Sequence, residues 1–122
     1  MAMTILAVDD SRTMREMIRR ALQEAGFNVV QAEDGVHGLE VLQGMERPDV
    51  IITDVNMPRM DGLQFIEEVR SDAGRRAIPI LVLTTESDAE KKARARRAGA
   101  TGWIVKPFDP VKLVDAIRRV AV

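Results

Sequence analysis

The chain's 122 residues, 46% hydrophobic and 30% charged, suit one soluble globular domain large enough to bury a core. A formal charge of -1 makes the whole molecule no electrostatic trap for nucleic acid or anionic membrane, and the lack of cysteine excludes disulfides and thiolate metal or redox sites. No stretch approaches the ~18 apolar residues of a membrane span, and the apolar start lacks the basic leader of a secretory signal, so a cytoplasmic single domain over residues 1–122 is expected.

Residues 4–8 are an apolar run that predicts a buried strand, stopped by Asp9-Asp10. Ser11 is the expected N-cap of a helix whose stripe is Met14, Met17, Ile18, Ala21, Leu22 and Ala25, ended by Gly26. Residues 27–32 predict a second strand. Glu33-Asp34-Gly35 then turns into a helix carrying Val36, Leu39, Val41 and Leu42 and closed by Gly44. Val50–Thr53 is β-branched and does not alternate, which suits a strand buried on both faces; it ends in Asp54. Met57-Pro58 and Asp61-Gly62 break the chain before a third helix with Leu63, Phe65, Ile66 and Val69 inward, followed by a polar loop at residues 71–76.

Residues 78–83 predict the most apolar strand, with Pro79 near its start, where a missing N–H does least harm. Residues 84–88 lead into a fourth helix that Gly99 ends, and residues 101–105 predict a fifth strand followed by Lys106-Pro107-Phe108. Asp109-Pro110 caps and starts a last helix with Val111, Leu113, Val114, Ile117 and Val120 as its core residues. Strands and helices alternate every 20–30 residues or so, the spacing of βαβ units with right-handed crossovers. The expected fold is therefore α/β, a doubly wound five-stranded parallel sheet covered by helices on both faces.

The residues with useful chemistry all follow strands: Asp9 and Asp10, Asp54, Thr84 and Lys106. In a parallel sheet these ends share one edge, so their side chains should converge there. Three carboxylates in one place repel and raise one another's pKa unless a cation neutralises them. Oxygen-only donors, with no cysteine and a lone His37 on another helix, favour Mg²⁺ over zinc. Such an ion keeps positions open for phosphate oxygens, and Thr84 and Lys106 stand ready for the remaining ones. The nucleophile would be a carboxylate, forming an aspartyl-phosphate. Asp54 is single and central, whereas Asp9 and Asp10 make a pair better suited to metal.

Asp9-Asp10, Asp54 followed by Asn56-Met57-Pro58, Thr84 and Lys106-Pro107-Phe108 resemble the receiver domain of two-component response regulators, from about residue 4 to the last helix. With no appended output domain, the chain looks like the stand-alone chemotaxis (CheY) type. The resemblance implies a flavodoxin-like sheet of order 2-1-3-4-5. It implies that Asp54 takes a phosphoryl group from a phosphohistidine on a sensor kinase and that Mg²⁺ is required. The metal would be held by Asp10, Asp54 and the backbone carbonyl of Asn56, with Asp9 acting through water. Thr84 and Lys106 would contact the phosphoryl oxygens, and Thr84 would swing inward together with Trp103, where Tyr or Phe is commoner in the family. Thr85 stands where a smaller residue is common and would narrow access to Asp54. The Lys106-Pro107 bond is expected to be cis.

The implied role is a phosphorylation-switched signalling protein, not an enzyme. It would act as a monomer docking through helix four, strand five and helix five to a target such as the flagellar motor switch, with a phosphatase as a further partner. A phosphate sink or relay intermediate has the same site. An aspartate-nucleophile phosphohydrolase commonly needs a general acid where this chain has Asn56. Flavin or nucleotide binding would need Gly and Ser/Thr amides where the chain has Asp9-Asp10. Ser11 and Ser87 are expected to be helix caps and His37 a solvated helix residue. Met57 and Met60 are core filler or a partner contact. Lys91, Lys92, Arg94, Arg96 and Arg97 on helix four form either a solvated face or a docking patch for an acidic partner, not a nucleic-acid surface, since no aromatic neighbours offer stacking.

Overall fold

In the computed structural model of the protein, residues 2–121 are described; Met1 and Val122, the ends of the expected domain, lie outside the described residues. The apolar runs become parallel strands: β1 (Thr4–Val8), β2 (Asn28–Ala32), β3 (Val50–Thr53), β4 (Ile80–Thr84) and β5 (Gly102–Val105). The helices between and after them are α1 (Arg12–Glu24), α2 (Gly35–Gln43), α3 (Gly62–Ser71), α4 (Ala89–Ala98) and α5 (Pro110–Val120). The sheet order is β2-β1-β3-β4-β5, with every neighbour parallel. Both agree with the fold expected from the sequence.

Side-chain alternation along each strand divides the core in two. Leu6, Val8, Ile51 and Val82 face one side with Leu42, Leu63, Phe65 and Ala95, under α2, α3 and α4. Ile5, Ala7, Ile52 and Leu83 face the other with Ile18, Leu22, Leu113 and Ile117, under α1 and α5. Covering both faces leaves the sheet's carboxyl edge as the place for polar groups. The register aligns that edge, pairing Val8 with Thr53, Thr53 with Val82, and Thr84 with Val105.

Most helix signals act as the sequence suggests. Ser11 Oγ accepts the Met14 N–H at 3.1 Å, Gly26 follows α1 at φ 92°, and Asp61 and Gln64 close a capping box at the start of α3. Two expectations about the helices are corrected. Ser87 does not cap α4: Asp88 does, its Oδ1 accepting the N–H groups of Glu90 at 2.7 Å and Lys91 at 3.3 Å. Met17 and Val111 are not core residues, being 49% and 68% exposed at the edges of their helical stripes. The polar loop at residues 71–76 contains a 3-10 turn, Ala73–Arg75. No helix among the described residues is long and apolar enough to cross a membrane.

Candidate functional site

Four strand ends deliver the site. Asp9 and Asp10 follow β1, Asp54 follows β3, Thr84 is the last residue of β4, and Lys106 follows β5. The Asp54 N–H donates to Val8 O at 3.0 Å, so the sheet ladder runs on to the acid itself. Asp9, Asp54 and Thr84 are buried, whereas Asp10 is exposed. Asp9, Asp10 and Asp54 each place one carboxylate oxygen within 4.8 Å of the others.

The expected repulsion is met by a cation of the chain's own. Lys106 Nζ donates to Asp9 Oδ2 at 2.8 Å and to Asp54 Oδ2 at 3.0 Å. The remaining oxygens of both acids take backbone donors: Val55 N–H to Asp54 Oδ1 at 2.6 Å and Ser11 N–H to Asp9 Oδ1 at 2.8 Å. Arg15 Nη1 donates to the Asp9 carbonyl at 2.7 Å and steadies the turn that carries both acids. Burial pushes the Asp9 carboxyl above its ordinary value, against the opposing pull of Lys106 and the Ser11 amide. Burial alone would lower Lys106, but its bonds to Asp9 and Asp54 prevail and raise it. Three carboxylates against one ammonium still leave excess negative charge. The all-oxygen donor set, close-spaced and open on the Asp10 side, fits a hard dication such as Mg²⁺.

Asn56 and Met57 follow in the β3–α3 loop, Asn56 exposed and Met57 packed with Met60 against the core. That loop returns so tightly that a Cβ on Gly62 would lie 1.9 Å from the Asp54 carbonyl oxygen. Only glycine fits. The Lys106-Pro107 bond is cis. Thr85 is exposed beside the site, and His37 Nδ1 accepts the Glu33 N–H at 3.1 Å away from it.

Thr84 and Trp103 are joined through the backbone of one residue, Glu86. Thr84 Oγ1 accepts the Glu86 N–H at 3.2 Å, and Trp103 Nε1 donates to the Glu86 carbonyl at 3.1 Å. Trp103 is half-buried and borders a cavity of about 90 Å³ lined by Lys92, Ala95, Arg96 and Ala100. On α4, Lys91 pairs with Glu86 at 3.7 Å and Arg94 with Glu67 at 3.1 Å, while Lys92 and Arg96 rim that cavity. The sequence reading did not single out Glu86 or Arg15. A cation one turn beyond an acidic pair was a signal for Arg15; a backbone link such as Glu86 leaves none.

The family model for the response regulator receiver domain matches residues 5–118. Chemotaxis protein CheY1 of Helicobacter pylori is 42% identical over 116 residues, covering 94% of each chain. The crystal structure of chemotaxis protein CheY4 of Vibrio cholerae superposes with a TM-score of 0.93 at 47% identity, over 98% of this chain and 99% of that one. The receiver domain of the Pseudomonas aeruginosa sensor histidine kinase PA1611, with a magnesium ion coordinated in its active site cleft, gives 0.90 at 26% identity, over 99% and 98%.

Proposed function

The chain belongs to the response regulator receiver family of two-component signalling, and from that premise we propose that Asp54 is its phosphoryl acceptor and a sensor-kinase phosphohistidine the donor. The observation that carries this reading is the Asp54 carboxylate, buried and held from opposite sides by Val55 N–H and Lys106 Nζ at 2.6 and 3.0 Å. Held so, it cannot rotate away from an incoming phosphorus atom. A carboxylate oxygen of Asp54 forms the new P–O bond, the P–N bond of the phosphohistidine breaks, and its electron pair stays on the imidazole. Lys106 keeps one ammonium proton on the phosphoryl oxygens as it leaves the carboxylate, and Thr84 Oγ1–H donates to another. Mg²⁺, when bound, neutralises further phosphoryl charge; Asp9, Asp10, Asp54 and the Asn56 carbonyl would hold it. Water later attacks the same phosphorus, so the chain promotes only its own loading and unloading and is not a turnover enzyme.

For the signal, Thr84 exchanges its bond from Glu86 N–H for one to the new phosphoryl group. The carbonyl of the same residue, Glu86, accepts from Trp103, so the exchange reaches β5 and α4 through one residue. The output face is then α4, β5 and α5, a docking surface for a cytoplasmic target such as the flagellar motor switch. Likeness to two chemotaxis proteins along nearly their whole length supports the chemotaxis assignment.

Incubation with an acyl phosphate, with and without Mg²⁺, tests the acceptor by intact mass. One added phosphoryl group that needs Mg²⁺ is expected, and no uptake in either condition refutes it. Affinity for a motor-switch peptide, measured before and after phosphorylation, tests the target; an unchanged affinity sinks that part alone.

A further inference from the structure

The β3–α3 loop carries a backbone conformation that its sequence does not favour. Arg59 has φ 64°, a value that glycine adopts freely and a side chain resists. The Met60 N–H donates to Pro58 O at 2.7 Å and closes a three-residue turn over Arg59. With positive φ at its centre this is the rare, strained form of the γ-turn. Strain of this kind persists only where the surroundings over-determine it.

What holds it is visible. Arg59 Nε and Nη2 donate to Asp34 Oδ2 at 2.8 Å and Oδ1 at 3.1 Å, a two-pronged pair. The Asp34 side chain is 5% exposed although that of Arg59 is 53% exposed, so the anchor is buried and the arm reaches in from solvent. Asp34 is fixed in its turn, since it caps α2 by accepting the His37 N–H at 2.9 Å. The Arg59 guanidinium holds the Asp34 carboxyl below its ordinary value, helped by that amide. Beside it, Gly35 N–H donates to Met60 O at 3.2 Å, and a Cβ on Gly35 would come within 2.7 Å of that oxygen. The loop is thus pressed against α2 at Met60 and against Asp54 at Gly62, and Asn56 lies in the stretch between Asp54 and Met60.

We propose that the Asp34–Arg59 pair is a latch on this strained turn, and that Arg59 is thereby a positioning residue for divalent-cation binding at Asp9, Asp10 and Asp54. The inference rests on the reading of those acids as a Mg²⁺ site with the Asn56 carbonyl among its ligands. A carbonyl on a loop contributes to cation affinity only if its orientation is fixed beforehand. Without the guanidinium, Arg59 relaxes toward negative φ, and the peptide planes between Asn56 and Met60 turn with it. The cation site loses a ligand while its three acids stay in place.

Calorimetric Mg²⁺ titration of the wild type, Arg59→Met, Asp34→Asn and the double variant tests this. Asp34→Asn keeps an oxygen for the His37 N–H, so α2 stays capped, and thermal unfolding checks that each variant is folded. Each single variant should bind Mg²⁺ on the order of tenfold more weakly. The double variant should bind no more weakly than the weaker single, because either change removes the same pair. Wild-type affinity in Arg59→Met, or additive losses in the double, would overturn the latch and leave the cation site standing. A wild type that takes up no Mg²⁺ would overturn both, and the first titration separates the two failures.

Discussion

The Lys106 ammonium stands 3.0 Å from the Asp54 carboxylate with its own side chain only 8% exposed, so the central acid is neutralised from another strand before any ligand arrives. The same nitrogen also reaches Asp9. A bound dication would need oxygens that Lys106 now holds, and in the proposed transfer Lys106 moves from the Asp54 carboxylate to the phosphoryl oxygens.

Lys106→Met keeps the stem and removes the charge. Mg²⁺ affinity should rise, because the acids lose their internal counter-ion, while the initial rate of phosphoryl uptake from an acyl phosphate should fall by about a hundredfold. Calorimetry and timed intact mass read the two effects. A fall in both would mean that Lys106 only maintains the geometry of the acids.

Asp9→Asn should stabilise the protein at pH 7. Burial raises the Asp9 carboxyl above its ordinary 3.8, so the charged form opposes folding above the folded-state pKa. Below 3.8 the acid is protonated folded or unfolded and the advantage of Asn disappears. Lys106 has the opposite sense: its raised pKa gives stability that is full below 10.5 and lost as pH climbs through the higher folded value. Urea unfolding of wild type and Asp9→Asn at pH 7 and at pH 3 checks the sign; a variant less stable at pH 7 would contradict it.

Gly62→Ala places a methyl carbon 1.9 Å from the Asp54 carbonyl oxygen. Relief requires the β3–α3 loop to move, at a cost of about 2 kcal/mol or more. The urea midpoint should fall with an unchanged slope, and Mg²⁺ affinity should fall with it.

Thr84→Ala should break the connection between site and surface. Thr84 Oγ1 accepts the Glu86 N–H and Trp103 Nε1 donates to the Glu86 carbonyl, so one residue connects them. In the wild type, phosphorylation should shift Trp103 emission. In Thr84→Ala, phosphoryl uptake should continue more slowly and the emission should stay unchanged. An undiminished shift would mean that Trp103 reads the site by another route.

The sheet and the acidic edge were readable because both are written locally. A β-branched run that stops at a carboxylate marks a buried strand and its polar end at once, as at Val50–Thr53 and Asp54. Stripe edges were not readable: Met17 and Val111 keep helical spacing but face outward, since periodicity gives a direction and not the width of what covers it. Ser87 and Asp88 are both good cap residues, and only the backbone at Asp88, extended at φ -61° and ψ 127°, decides between them. The Asp34–Arg59 pair spans 25 residues, and nothing in an arginine announces positive φ. The Glu86 link uses backbone atoms, which carry no sequence signal at all.

The central claim is that Asp54 forms the aspartyl-phosphate. The most direct measurement loads the protein with an acyl phosphate and Mg²⁺, reduces the acyl phosphate with borohydride, and maps the peptides. The account predicts reduction of one residue to homoserine, at position 54, and no such product from Asp54→Asn. Homoserine at position 9 or 10, or phosphoryl uptake undiminished in Asp54→Asn, would contradict it.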